Sequence, residues 1–213
     1  MELLHNNFDN EEVSSVFDHC YFNHKDLFLN LCLKGISLSN PVAHHKYAVS
    51  LIFNGKTDKS YKEARTHLEK SIKQGFNLSY FLLARLVHEV YNEDVLALQL
   101  ATDGSNKNEK YSKCLLGYFI AHGIGTKKDL KKGVSLMLES EASNYYEIFA
   151  TDIALYYVML NRESNENYDS EIFKWFEKAY NLRKTKSTIN NYGICFMKGI
   201  GVEKNTEKAK KIF

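Results

Sequence analysis

Residues 116–133 read LGYFIAHGIGTKKDLKKG, and residues 192–209 read YGICFMKGIGVEKNTEKA. An offset of 76 residues superposes Gly117 on Gly193, Gly123 on Gly199 and Gly125 on Gly201. The same offset puts Asp129 on Asn205 and Gly133 on Ala209. Seventy-six is two units of about 38, so the chain is a repeat. Weaker copies fill the intervals. Tyr47-Ala48 with Ala64 reproduces the sixteen-residue spacing from Gly117 to Gly133, and Leu83-Ala84 and Ile153-Ala154 supply two intermediate units. The small residues then fall at Ala48, Ala84, Gly117, Ala154 and Gly193, spaced 36, 33, 37 and 39 apart.

Each unit reads as two helices. Pro41 after Ser39 and Asn40 fits an N-cap followed by proline at the first helical position. Ala43, Tyr47, Ala48 and Leu51 follow on one helical face. The polar stretch 54–59 breaks the pattern, and Ala64, Leu68 and Ile72 mark a second helix. Gly35, Gly75 and Gly104 are expected to end helices in the left-handed conformation. Gly55 is expected in an inter-helix loop, as are the Gly123-Ile124-Gly125 and Gly199-Ile200-Gly201 turns. A mid-helix glycine such as Gly117 or Gly193 costs about 1 kcal/mol against alanine, which points to close helix approach. A helical pair cannot bury its apolar stripe alone, so the units must stack.

The bulk composition agrees. The 213 residues contain one proline and eleven glycines, which excludes collagen and Pro-rich disorder and disfavours a turn-dense sandwich. Apolar content of 44% and charged content of 25% are ordinary for a globular chain. The start, MELLHNNFDN, carries no basic leader pattern, and no apolar run approaches the ~20 residues needed to span a bilayer. These features predict a cytoplasmic protein. Cys20, Cys32, Cys114 and Cys195 are far apart without a CxxC pair, and read as reduced, mostly buried thiols. Residues 1–105 carry a net charge of −3 and residues 106–213 carry +5, too mild an asymmetry to argue for nucleic acid.

The arrangement A-x3-L-G-x2-Y-x2-G-x-G-V-x2-D-x2-K-A-x2-W-Y-x-K-A-A resembles the Sel1-like repeat, an α/α solenoid related to the tetratricopeptide type. Leu116, Gly117, Gly123, Gly125, Asp129 and Lys132 match it in one unit. Tyr192, Gly193, Phe196, Gly199, Gly201, Val202, Lys208 and Ala209 match in another, and Trp175, Phe176, Lys178 and Ala179 in a third. Gly133, where alanine is usual, and Ile172, reached by a longer loop, depart from the pattern. The resemblance implies an all-α, right-handed superhelical solenoid of about five helix-turn-helix repeats, read as one continuous body. Its units fall at about 41–76, 77–105, 108–144, 145–183 and 186–213, after a degenerate helical repeat or cap within 1–40.

The resemblance further implies a non-catalytic scaffold or adaptor that holds another protein, often in bacteria and their dealings with hosts. A cytosolic immunity protein that neutralises a toxin is the alternative, and an effector exported without an N-terminal signal is a third reading. An enzyme stands last. The sequence holds no H-E-x-x-H, P-loop or G-x-S-x-G. Adjacent His44 and His45 point about 100° apart on a helix, so they cannot share a metal, and Cys114 and His122 lie eight residues apart, too far for a nucleophile–base pair. No cofactor or metal is expected. The lysine clusters at 127–132 and 204–211, interleaved with Asp129, Glu203 and Glu207, read as solvated outer faces.

In the Sel1-like family the first helices line the concave surface. With the small residue of each first helix as position zero, −5, −1, 0 and +3 are core, and +1, +5 and −3 point away from it at 100° per residue. Position +1 collects Val49, Arg85, Tyr118, Leu155 and Ile194. Position −3 collects His45, Phe81, Cys114, Thr151 and Asn190, and +5 collects Phe53, Glu89, His122, Met159 and Lys198. About half of these are apolar or aromatic and are mixed with Arg and His, the composition of interface anchors. Two readings stay open: a partner covers them, or neighbouring first helices bury them. The candidate partner-binding set is His45, Val49, Phe81, Arg85, Tyr118, His122, Leu155, Met159, Ile194 and Lys198. Ile212-Phe213, aligned with Leu136-Met137, gives the last helix an apolar end, and two readings stay open for it: it pairs with a second copy, or it frays.

Overall fold

A computed structural model of the chain describes residues 24–142, 147–164 and 166–213. The first part of the expected N-terminal cap, residues 1–23, lies outside the described residues, and Cys20 with it. Every regular element described is helical, and helices that follow one another in the chain pack closely in pairs. This is an all-α solenoid fold. By compactness the chain groups into two units, residues 1–112 and 113–213.

Unit 1 begins with α1 (Lys25–Ser37) and α2 (Pro41–Ser50), which Asn40 caps by accepting from Ala43 N at 3.0 Å. One wider turn, Leu51–Gly55, ends at Lys56 in the left-handed conformation. Helix α3 (Asp58–Lys73) then opens on a reciprocal capping box between Thr57 and Ser60. It stops at Gly75, whose φ of +90° needs no Cβ to be accommodated, and Phe76 N returns to Ser71 O. Phe76 thereby drops into a core with Phe28, Cys32, Val42 and Ala43. Helices α4 (Leu78–Glu89) and α5 (Asp94–Asn106) complete the unit, with Ala97, Ala101 and Gly104 buried along one face of α5.

Three glycines do not sit where the sequence placed them, and Gly55 is one, since it belongs to the wide helical turn that extends α2 rather than to a loop. Gly35 lies inside α1 and Gly104 inside α5, both buried, and the left-handed residues that follow are Ser39 and Asn108. A Cβ on Gly104 would collide with the Ser112 side chain and come within 2.8 Å of Tyr80 Cβ. Its missing side chain serves packing, and the short polar residues take the turn.

Unit 2 contains most of α6 (Lys110–His122), then α7 (Leu130–Glu139), α8 (Glu147–Glu163), α9 (Asp169–Leu182), α10 (Lys186–Lys198) and α11 (Thr206–Ile212). The 76-residue copy holds atom by atom. Gly123, Gly125, Gly199 and Gly201 all have φ between 63° and 77°. Asp129 N donates to Ile120 O at 2.9 Å, and Asn205 N donates to Phe196 O at 2.8 Å. The Asp129 side chain caps α7 through Lys132 N, and the Asn205 side chain caps α11 through Lys208 N. Ala48, Ala84, Gly117, Ala154 and Gly193 are all buried. Helices α6 and α7 cross at Gly117 and Gly133: a Cβ on Gly117 would stand 2.6 Å from Gly133 O, and one on Gly133 2.5 Å from Gly117 O. At the copy of this crossing, the Phe213 ring lies over Gly193 as Met137 lies over Gly117.

Candidate functional site

Of the candidate face, positions +1 and +5 reach solvent, whereas −3 does so only in part. No +1 or +5 residue is buried. Phe53 is 57% exposed and Leu155 43%, large apolar groups held out in water. At −3, His45 and Cys114 are buried in the core. This corrects the expectation for His45, which cannot meet a partner.

The reason is a chain of hydrogen bonds from one first helix to the next. Ser71 Oγ, on α3, donates to Pro41 O at 2.7 Å, which uses its only proton. Ser79 Oγ, on α4, must then donate to Ser71 Oγ at 2.8 Å, so the remaining contact, 2.9 Å to His45 Nδ1, has the imidazole as donor. His45 also meets the edge of the Phe76 ring. Burial, and secondarily Lys46, hold its pKa down to about 3, so it is a neutral core histidine.

In unit 1, Arg85 engages Glu89 and Phe81 of its own helix. Its guanidinium donates to Glu89 Oε1 from Nε and Nη2 at 2.9 and 2.8 Å, and lies 5.8 Å from the Phe81 ring. Phe81 in turn stands 5.8 Å from Tyr111. Val49 is half-buried beside exposed Phe53 on the continuation of α2. This surface offers an aromatic plane, a cation already oriented by a carboxylate, and apolar area. Such pieces suit a peptide side chain or another protein's surface better than chemistry on a small molecule.

In unit 2, the Tyr118 and His122 rings of α6 lie tilted at 44° to each other with centres 4.2 Å apart. His122 Nδ1 lies 3.1 Å from Tyr118 O and 2.9 Å from the Tyr156 hydroxyl on α8. Leu155 is exposed and Met159 half-buried on α8, and on α10 Ile194 is half-buried and Lys198 exposed. Behind this surface sits Asp152, whose carboxyl burial pushes up to about 7. The Tyr156 phenol is pushed well above its usual range, by burial first and then by Asp152, Tyr118 and Cys114.

Two groups were not foreseen. Position +2, which holds Leu86, Phe119, Tyr156 and Cys195, is buried in all four of these units. The signal was present as a column of apolar residues, one direction beyond the assigned core. Nothing in the sequence pairs His44 of α2 with His67 of α3, yet their Nδ1 atoms are 2.7 Å apart. One nitrogen donates and the other accepts, so the two cannot both be charged at this distance. Burial, then His67 and Lys70, lower His44 to about 4, and burial followed by Lys70 lowers His67. Cys32, Cys114 and Cys195 are buried thiols outside any disulfide, and burial raises Cys195 to about 12. Among the described residues, no group of three or more His, Cys, Asp or Glu is placed to hold a metal. Nor is any described helix long and apolar enough to cross a membrane.

The comparisons meet this architecture from outside. The sequence profile of the Sel1 repeat matches residues 41–76, 111–144, 173–183 and 187–213. No curated protein sequence matches the chain. Among solved structures, a Sel1 repeat protein from Oxalobacter formigenes superposes with a TM-score of 0.72 at 17% identity, over 93% of this chain and 81% of that one. A protein from Klebsiella pneumoniae gives 0.60 at 18% identity, over 83% and 85%. The protective antigen c5321 of uropathogenic Escherichia coli, which displays the same repeat fold, gives 0.72 at 18% identity over 87% of this chain. The present chain spans only 40% of that protein's length. At these identities the structural likeness shows the fold, and the profile covers half of the sequence; the chain belongs to the Sel1 repeat family.

Proposed function

We propose that the chain is a non-catalytic adaptor that holds a partner protein against the +1 and +5 positions of its first helices. The observation that carries this reading is the composition of that exposed stripe. A solvated helix face is expected to be charged or small and polar. Here six of the ten residues, Val49, Phe53, Tyr118, Leu155, Met159 and Ile194, are apolar or aromatic, beside Arg85, Glu89, His122 and Lys198, and the histidine at −3 is withdrawn into the core. Membership of a repeat family whose fold generally serves as a scaffold for protein–protein contact supports the same reading. A cytosolic immunity protein or an exported effector would use the same stripe, and what separates them is the class of protein captured.

The test is affinity capture from the native cell with the wild-type chain and with Arg85→Ala and Tyr118→Ala made separately. Loss of a specific partner in either variant is the expected result. A partner retained in full by both refutes the placement, and capture of no protein at all refutes the adaptor.

A further inference from the structure

The charge of this protein is unevenly placed within unit 2. After Glu171 the sequence holds ten lysines and arginines against three glutamates, a net charge of +7 in 42 residues, while the preceding 171 residues carry −5. Those 42 residues make up nearly all of α9, together with α10 and α11. Two of the three carboxylates are engaged: Glu177 accepts from the Tyr192 hydroxyl at 2.9 Å, and Glu207 pairs with Lys210 at 2.9 Å. Several of the cations are held over aromatic rings. Lys184 lies 5.1 Å from the Tyr180 ring, Tyr180 stacks on Tyr192 at 4.7 Å, Tyr192 meets Phe196 at 5.2 Å, and Lys208 lies 4.1 Å from Phe196. One aromatic column therefore links two exposed ammonium groups.

We propose that this basic stretch of α9–α11 is a docking surface for an acidic segment of a partner protein. The inference rests on the adaptor reading and adds the chemistry of the partner. Charge complementarity of this kind steers encounter and selects partners. Nucleic acid fits less well. Tyr192 and Phe196 are buried, so only half-buried Tyr180 of the column has any ring face left for a base, and nine of the ten cations are lysine rather than the arginine that grips phosphate bidentately.

The test uses a fluorescein-labelled decaglutamate peptide and anisotropy at about 20 mM and about 150 mM salt, where the Debye length shrinks toward ~8 Å. Wild type is expected to bind at low salt and to weaken at least about tenfold at the higher salt. Lys184→Glu/Lys208→Glu should weaken low-salt binding at least about tenfold, and Lys184→Gln/Lys208→Gln less. The control Lys73→Glu/Lys107→Glu, with the same change in net charge in unit 1, should stay within about threefold. Three results overturn the proposal: no binding by wild type, equal binding of decaglutamine, or equal loss in the control. Tighter binding of oligo(dT) or of phosphatidylserine vesicles than of the peptide also overturns it, and makes the target a nucleic acid or a membrane. The Arg85 and Tyr118 variants leave the basic stretch intact. A partner captured by wild type and lost in Arg85→Ala or Tyr118→Ala, with no binding of decaglutamate, sinks this inference alone, whereas decaglutamate binding with the partner retained in full by both variants sinks the stripe.

Discussion

Alanine substitution at two equivalent repeat positions should give opposite outcomes. Intrinsic propensity favours both Gly117→Ala and Gly193→Ala by about 1 kcal/mol, because each glycine sits inside a helix. Their surroundings differ. A Cβ at residue 117 would stand 2.6 Å from Gly133 O, 2.7 Å from Met137 Cγ and 3.0 Å from Met137 N. Ordinary contact begins near 3.4 Å, so two backbones must separate by about 0.8 Å. Overpacking of that kind costs about 1–3 kcal/mol, which outweighs the propensity gain when Gly133 cannot yield. At residue 193 the obstacle is only the Phe213 ring, at 2.6 Å, on a side chain that is 59% exposed and can swing aside. Thermal unfolding by circular dichroism reads the difference. At roughly 2–4 °C per kcal/mol for a chain of this size, Gly117→Ala should lower Tm by several degrees while Gly193→Ala leaves it unchanged or slightly raised. A Gly117→Ala protein as stable as wild type would refute the close crossing of α6 and α7.

Acid should weaken unit 1 first. The folded-state values of about 4 for His44 and about 3 for His45 lie below the unfolded 6.5, so the unfolded chain binds more protons between them. Each histidine contributes stability that is complete above pH 6.5 and falls by about 1.4 kcal/mol per pH unit as pH drops toward its folded value. Hydrogen exchange at pH 7.5, 5.5 and 4.5 should show protection in α2 and α3 falling, and protection that holds to pH 4.5 would contradict the buried neutral pair. Asp152 runs the other way. Its folded value of about 7 lies above the unfolded 3.8, so the stability carried by its protonated form is present below pH 3.8 and lost as pH rises through 7. Asp152→Asn should therefore stabilise the protein at pH 8, by up to about 4 kcal/mol in urea titration, with the gain vanishing below pH 4. A variant less stable than wild type at pH 8 would mean the carboxylate has a stabilising partner.

The repeat was readable because its signals are local. Asn40 with Pro41, Asp129 and Asn205 at helix starts, and Gly123, Gly125, Gly199 and Gly201 in the turns, each act within a few residues of themselves. The same locality explains the errors at Gly35 and Gly104. A glycine required by packing and one required by positive φ look alike in a string of letters. Asn108 and Ser39 then took the left-handed turns that no glycine filled.

The candidate face was legible only in part. Projection at 100° per residue found the core at 0 and at most of −5 and −1, and the open stripe at +1 and +5, because both follow from one helix and the partner it packs against; at +3 only Val87 and Phe196 are buried, with Leu51, Ile120 and Tyr157 half-buried. It could not find that Ser79 receives His45, that Tyr156 reaches His122, or that His67 meets His44. Those contacts join side chains 34, 34 and 23 residues apart.

By itself, the sequence determined the helical class, the period of about 38, the turns and the exposed stripe, since each is dictated by the conformational preferences of residues near one another in the chain. Tertiary structure alone decided which flanking residues are lost to the interior, which histidines stay neutral, and which glycine can accept a methyl group. Those depend on how closely successive helices approach, a distance set by all the side chains between them at once.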